Sequence, residues 1–121
     1  AVTAAADIMV PAALGGVLTP EIVPSLRCAA IVGPANNQLA VPEVADLLHE
    51  RDILWVPDYI ASAGGVIYAL TRELHHGTDE EARDRVQNVE NTVAELLDAA
   101  VQAGTAPAHS ATELTRHRLK R

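Results

Sequence analysis

Three short apolar runs, each closed by a proline, constrain this chain more than any other feature. They are Ile8-Met9-Val10 before Pro11, Ala29-Ala30-Ile31-Val32 before Gly33-Pro34, and Ile53-Leu54-Trp55-Val56 before Pro57. Each is too short for a globular helix, and none alternates polar with apolar residues. Each is therefore predicted to be a strand covered on both faces. Helix signals lie between them. Thr19-Pro20-Glu21 sets a cap residue, an N1 proline and an acid in order, which predicts a helix start, and Pro42-Glu43 opens a second helix reaching about residue 51. Strands alternating with helices make βαβ units, and so a parallel sheet with right-handed crossovers.

Beyond Pro57 the pattern turns helical. Gly64-Gly65 open an apolar stretch that ends near Gly77. Thr78 and Glu81 have the spacing of a capping box, with Asp79, Glu80 and Glu81 in the first turn. Val86, Val89, Val93, Leu96, Leu97, Ala100 and Val101 then recur at helical spacing up to Gly104, a natural helix terminator. Ser110 and Glu113 predict a further capping box and a short last helix. The expected fold is α/β: the second half of a Rossmann-like doubly wound parallel sheet, about three strands, followed by a helical tail. The first half would carry the glycine fingerprint for pyrophosphate, and no G-x-G-x-x-G occurs here. Residues 1–77 are assigned to the sheet unit and 78–121 to the C-terminal helices.

Composition narrows the functions. A net charge of −7 disfavours nucleic acid, whose phosphates need a basic footprint. The basic cluster Arg116, Arg118, Lys120 and Arg121 reads as a helix C-terminus. The first 18 residues have no basic flank and are interrupted by Asp7 and Pro11, so neither a targeting signal nor a membrane span is expected. The chain starts without Met inside an apolar pattern, which leads us to expect a piece of something longer. The single cysteine, Cys28, is expected to be a buried, inert thiol. His75 and His76 are adjacent and point in different directions on a helix, so no metal site is expected.

Three segments carry a resemblance. Asp7-Ile8-Met9-Val10-Pro11-Ala12-Ala13-Leu14-Gly15, Val32-Gly33-Pro34-Ala35-Asn36-Asn37-Gln38-Leu39, and Pro57-Asp58-Tyr59-Ile60-Ala61-Ser62-Ala63-Gly64-Gly65-Val66-Ile67 stand in order along the chain. They resemble segments of the glutamate/leucine/phenylalanine/valine dehydrogenase family. Asn36-Asn37-Gln38-Leu39 is similar to the leucine/valine/phenylalanine branch rather than the glutamate branch. The resemblance implies an NAD-dependent oxidative deaminase of branched-chain or aromatic L-amino acids, cytoplasmic and homo-oligomeric, with no nucleic-acid or membrane partner.

It also implies roles for particular residues. Ala12, Ala13, Leu14 and Gly15 would lie against the ribose and adenine side of NAD. Asn36 or Asn37, with Asn37 favoured, would serve near the nicotinamide ribose and the amino-acid substrate. Ser62 stands where the family usually has Asn, on the nicotinamide side. Val66 and Ala69 would line the substrate side-chain pocket, and the small Ala69 would favour a bulkier substrate. Asp58 reads as a turn or cap residue rather than a catalytic acid. The family's paired catalytic lysines and aspartate come from a separate substrate domain, and the only lysine here is Lys120. No catalytic residue is assigned, and the isolated chain is expected to be inactive. The alternative is a non-catalytic remnant or binding module that pairs with another chain.

Overall fold

The computed structural model describes residues 2–120. Three two-residue strands, β1 (Ile8–Met9), β2 (Ala30–Ile31) and β3 (Leu54–Trp55), form one parallel sheet in the order β1-β2-β3. Ile8 pairs with Ala30 and Leu54, and Met9 with Ile31 and Trp55. The strands fall inside the three apolar runs and leave β1 at an edge. Side chains alternate across a strand, so Met9, Ile31 and Trp55 share a face. That face meets the core, where Leu18, Val23 and Leu26 pack with Val44, Ala45 and Leu48 of helix α1 (Val44–Glu50).

The expectation of strands covered on both faces does not hold within this chain. The opposite face carries Ile8 and Leu54, which are 54% and 40% exposed. Helix α1 and the segment before β2 cover the other side of the sheet.

The segment at Thr19 also departs from expectation. Only a three-residue 3₁₀ helix forms, Val23–Ser25. Pro24 lacks an N–H, and its ring would clash with the carbonyl four residues back, so an α-helix started at Pro20 stops at once. Thr19 keeps a capping role on a smaller scale, its Oγ1 accepting the Ile22 N–H at 3.3 Å.

After β3 come α2 (Asp58–Ala61) and α3 (Gly64–Ala69), which continues as a π-helical turn, Leu70–Leu74. The Thr78/Glu81 capping box starts α4 (Asp79–Gln87) as expected. The single helix expected up to Gly104 is two, because Asn88 has ψ −8° and separates α4 from α5 (Val89–Ala103). Asparagine competes for backbone groups through its side chain and favours helix ends. Gly104, left-handed at φ 63°, terminates α5.

The last helix, α6 (Pro107–Leu119), starts three residues before Ser110. Proline at the first helical position sets φ at no hydrogen-bonding cost, so Pro107 opens the helix. Ser110 is instead buried inside the first turns, and Glu113 pairs with Arg116 at 2.8 Å. His109 on α6 reaches Asp46 on α1 at 2.8 Å and ties the tail to the sheet unit. Of the basic cluster, the Arg118 side chain and Arg121 lie outside the described residues. Cys28 is only partly buried, because it sits at the margin of the core; burial still pushes its thiol up.

Candidate functional site

The three loops singled out in the sequence follow the C-terminal ends of the three parallel strands, the place where open α/β sheets leave a crevice. Backbone hydrogen bonds join the first two loops. The Ala35 N–H donates to the Pro11 carbonyl at 3.0 Å, Gly16 to Asn37 at 2.7 Å, and Leu18 to Gln38 at 3.0 Å. Leu18 and Leu39 then form an isolated parallel bridge. Gly15 is the contact point. A Cβ there would stand 2.8 Å from the Asn36 carbonyl oxygen and 2.9 Å from that of Asn37, closer than a side chain tolerates.

The second loop is built around a side chain that the sequence reading did not single out. Gln38 is completely buried. Its Nε2 donates to the carbonyls of Gly33 (2.8 Å) and Ala35 (2.9 Å), and its Oε1 accepts the Trp55 Nε1–H at 3.1 Å. Its backbone N–H donates to Asp58 Oδ2 at 2.7 Å. Asp58 is buried and is the first residue of α2. It acts as a bridge between the second and third loops. A glutamine followed by leucine in a loop hints at burial, but its partners lie 17 and 20 residues away, beyond any local pattern.

This frame separates the two asparagines. Asn37 sits in the left-handed region at φ 53°, and its carbonyl is taken by Gly16. Asn36 projects toward the third loop, where the Ser62 hydroxyl lies 3.0 Å from its Oδ1. Together with Tyr59, Gly65, Val66 and Ile67 they line an open cavity of about 550 Å³. Ala69, one turn beyond Val66 on α3, is exposed and is not part of that lining. Partial burial and the neighbouring Asp58 carboxylate push the Tyr59 phenol up. Ala12, Ala13 and Leu14 line a second, smaller hollow of about 260 Å³ with Met9 and Pro11, and Leu14 is 76% exposed. Asn37 and Gly15 line neither hollow. Among the described residues neither is lined by a lysine, arginine or carboxylate. Among the described residues no cluster of His, Cys, Asp or Glu could hold a metal ion.

Residues 1–120 match the family model described as Glutamate/Leucine/Phenylalanine/Valine dehydrogenase. The chain belongs to this dehydrogenase family. Leucine dehydrogenase of Bacillus cereus is 36% identical over 113 residues, covering 93% of this chain and 31% of that protein. Valine dehydrogenase of Streptomyces albus is 38% identical over 113 residues, with the same coverage of 93% and 31%. Among solved structures, L-tryptophan dehydrogenase from Nostoc punctiforme superposes with a TM-score of 0.92 at 32% identity, over 98% of this chain and 35% of that one. The Leu-bound form of hetero-hexameric glutamate dehydrogenase from Thermus thermophilus gives 0.77 at 27% identity, over 98% and 30%. The chain thus spans about a third of the length of these relatives.

Proposed function

We propose that the chain is the C-terminal part of an NAD-dependent L-amino-acid dehydrogenase acting on a branched-chain or aromatic substrate. The whole enzyme would take an L-amino acid, NAD⁺ and water to the 2-oxo acid, ammonium, NADH and a proton. The observation that carries this reading is the uncharged cavity of Asn36, Ser62 and Val66, built past the ends of β2 and β3. The donor set fits a dinucleotide. Exposed small residues at 12, 13 and 15 leave backbone groups open to a flat ligand, and Asn36 offers a neutral amide to a sugar or amide oxygen. NAD, when bound, supplies the hydride acceptor.

This chain's own contribution is binding and orientation. Residues 12–15 would take the ribose and adenine side, and Asn36 and Ser62 the nicotinamide side. Asn37 would contribute through its backbone turn. Val66 would close the pocket around the substrate side chain, with Ala69 leaving room beyond it. The unit 1–77 would be the second half of the cofactor domain, and 78–121 the helices that follow it. Among the described residues no cation lines either hollow, so the charges of the pyrophosphate and the substrate carboxylate would be offset by residues outside this chain. The intact protein is taken to be a cytoplasmic homo-oligomer; no described helix is long and apolar enough to cross a membrane.

The isolated chain and a chimera test this. By itself the chain should give no NADH from NAD and leucine, valine or phenylalanine at alkaline pH. Pre-positioning of reactants is worth about 7–11 kcal/mol, and one domain cannot supply it. NAD should bind no more tightly than about millimolar, shifting amide resonances at residues 12–15, 36, 62 and 66. The chain should also replace the corresponding third of Bacillus cereus leucine dehydrogenase and support NAD-dependent deamination in the chimera. A folded chimera that binds NAD at none of these residues and turns over no amino acid refutes the proposal.

A further inference from the structure

An asparagine amide has two opposite ends, and the end that faces a cavity decides what the cavity accepts. A free NH₂ calls for an oxygen acceptor on the ligand, and a free carbonyl for a donor. Asn36 is exposed, and its side chain makes one hydrogen bond among the described residues, to Ser62. Ser62 is itself well anchored. It ends α2, its N–H donates to the Asp58 carbonyl at 2.7 Å, and Asp58 is held from the other side by Gln38.

We infer that Ser62 is a positioning residue: by engaging Asn36 through Oδ1, it turns the Asn36 NH₂ toward the cavity and makes the site selective for a ligand oxygen acceptor. The inference rests on the proposed dehydrogenase function only for the ligand's identity, a ribose hydroxyl of a nicotinamide nucleotide or the carboxylate of an amino or 2-oxo acid.

The Ser62 hydroxyl has one proton and two acceptors in reach, Asp58 O at 2.6 Å and Asn36 Oδ1 at 3.0 Å. In the ligand-free chain the proton bridges both, held more closely by the Asp58 carbonyl, and the bond to Asn36 Oδ1 is the weaker arm. A ligand oxygen that accepts from Asn36 Nδ2 polarises the amide and makes Oδ1 the stronger acceptor. The proton then moves toward Asn36, and the helix carbonyl at Asp58 keeps its bond from the Ser62 N–H. Ligand and serine thus reinforce one another through the two ends of a single amide.

The test uses the full chain labelled with ¹⁵N, and reads the Asn36 side-chain NH₂ in wild type, Ser62→Ala and Ser62→Thr. Without ligand, wild type and Ser62→Thr should show an ordered NH₂ with distinct proton shifts. Ser62→Ala should show a mobile one with both shifts at the values of a free asparagine amide. Nicotinamide mononucleotide and a branched 2-oxo acid are then titrated separately, and the one that moves Nδ2 identifies the source of the oxygen. Its affinity should fall about three- to tenfold in Ser62→Ala and recover in Ser62→Thr. An Asn36 NH₂ with the same order and shifts in Ser62→Ala as in wild type overturns the inference. If Ser62→Ala frees the amide but neither compound perturbs any loop resonance, the positioning role stands and the assignment of this cavity to either ligand falls, while the chimera decides the dehydrogenase reading.

Discussion

Replacing Gln38 with methionine keeps nearly the volume of a fully buried side chain and removes its polar atoms. Three hydrogen bonds vanish, and three groups lose a partner: the Trp55 indole N–H and the carbonyls of Gly33 and Ala35. A buried group left unsatisfied costs about 1–3 kcal/mol. The two carbonyls belong to a loop whose neighbours Pro34, Asn36 and Asn37 are exposed, so water can reach part of the gap. The lower end of the range applies to them, and the expected loss is about 3–5 kcal/mol. A chain of 121 residues has about 6–18 kcal/mol in total at ordinary per-residue stability, so the loss is a large share. Urea unfolding followed by far-ultraviolet circular dichroism measures it. Trp55→Phe breaks the same network from the other side. Because each variant orphans the group that the other removes, the double variant should cost about 1 kcal/mol less than the two singles added together. A Gln38→Met loss below about 1 kcal/mol, or additivity within about 0.3 kcal/mol, would show that the buried network does not hold the loop.

Four further outcomes are expected. Gly15→Ala should destabilise the chain by about 1–3 kcal/mol in the same urea assay, because its Cβ would push against the backbone of Asn36 and Asn37. An unchanged midpoint would mean that the two loops can separate freely. Thr78→Ala should cost about 0.5–2 kcal/mol by removing the side-chain half of the capping box, while Thr78→Ser should cost far less. The Tyr68 hydroxyl donates to Asp79 at 2.8 Å, which holds its phenol above the ordinary value of 10.0. With the folded value raised, this contribution is fully present below pH 10 and is lost as pH climbs through the folded value. Ultraviolet titration should place the Tyr68 midpoint lower in Asp79→Ala than in wild type, and equal midpoints would dismiss the bond. Finally, the open edge of β1 and the exposed Ile8 and Leu54 should make the chain self-associate, more so in salt that screens its net charge of −7. Light scattering during gel filtration that reports a sharp monomer at both low and high salt would contradict this.

Local chemistry, readable from the order of residues, determined the three strands, the start of α4 at Thr78, the end of α5 at Gly104 and the loops past each strand. Apolar runs closed by prolines, capping boxes and left-handed glycines act over a few residues, and those interactions are written in adjacent letters. Pro24 and Pro107 belong to the same class. Both were visible, and both outweighed the weaker cap signals at Thr19 and Ser110, because a missing N–H and a fixed φ are harder constraints than a side-chain bond. The resemblance of three segments carried the family. Tertiary structure alone decided which asparagine turns to the cavity. Asn36 meets Ser62 across 26 residues, while the Asn37 carbonyl is spent on Gly16. It also decided that Gln38, Trp55 and Asp58 form one buried network, and that Ala69 stands outside the lining that Val66 enters. These are contacts between separate loops, set by how the sheet spaces the ends of its strands, and no period or spacing along the chain encodes a distance of that kind.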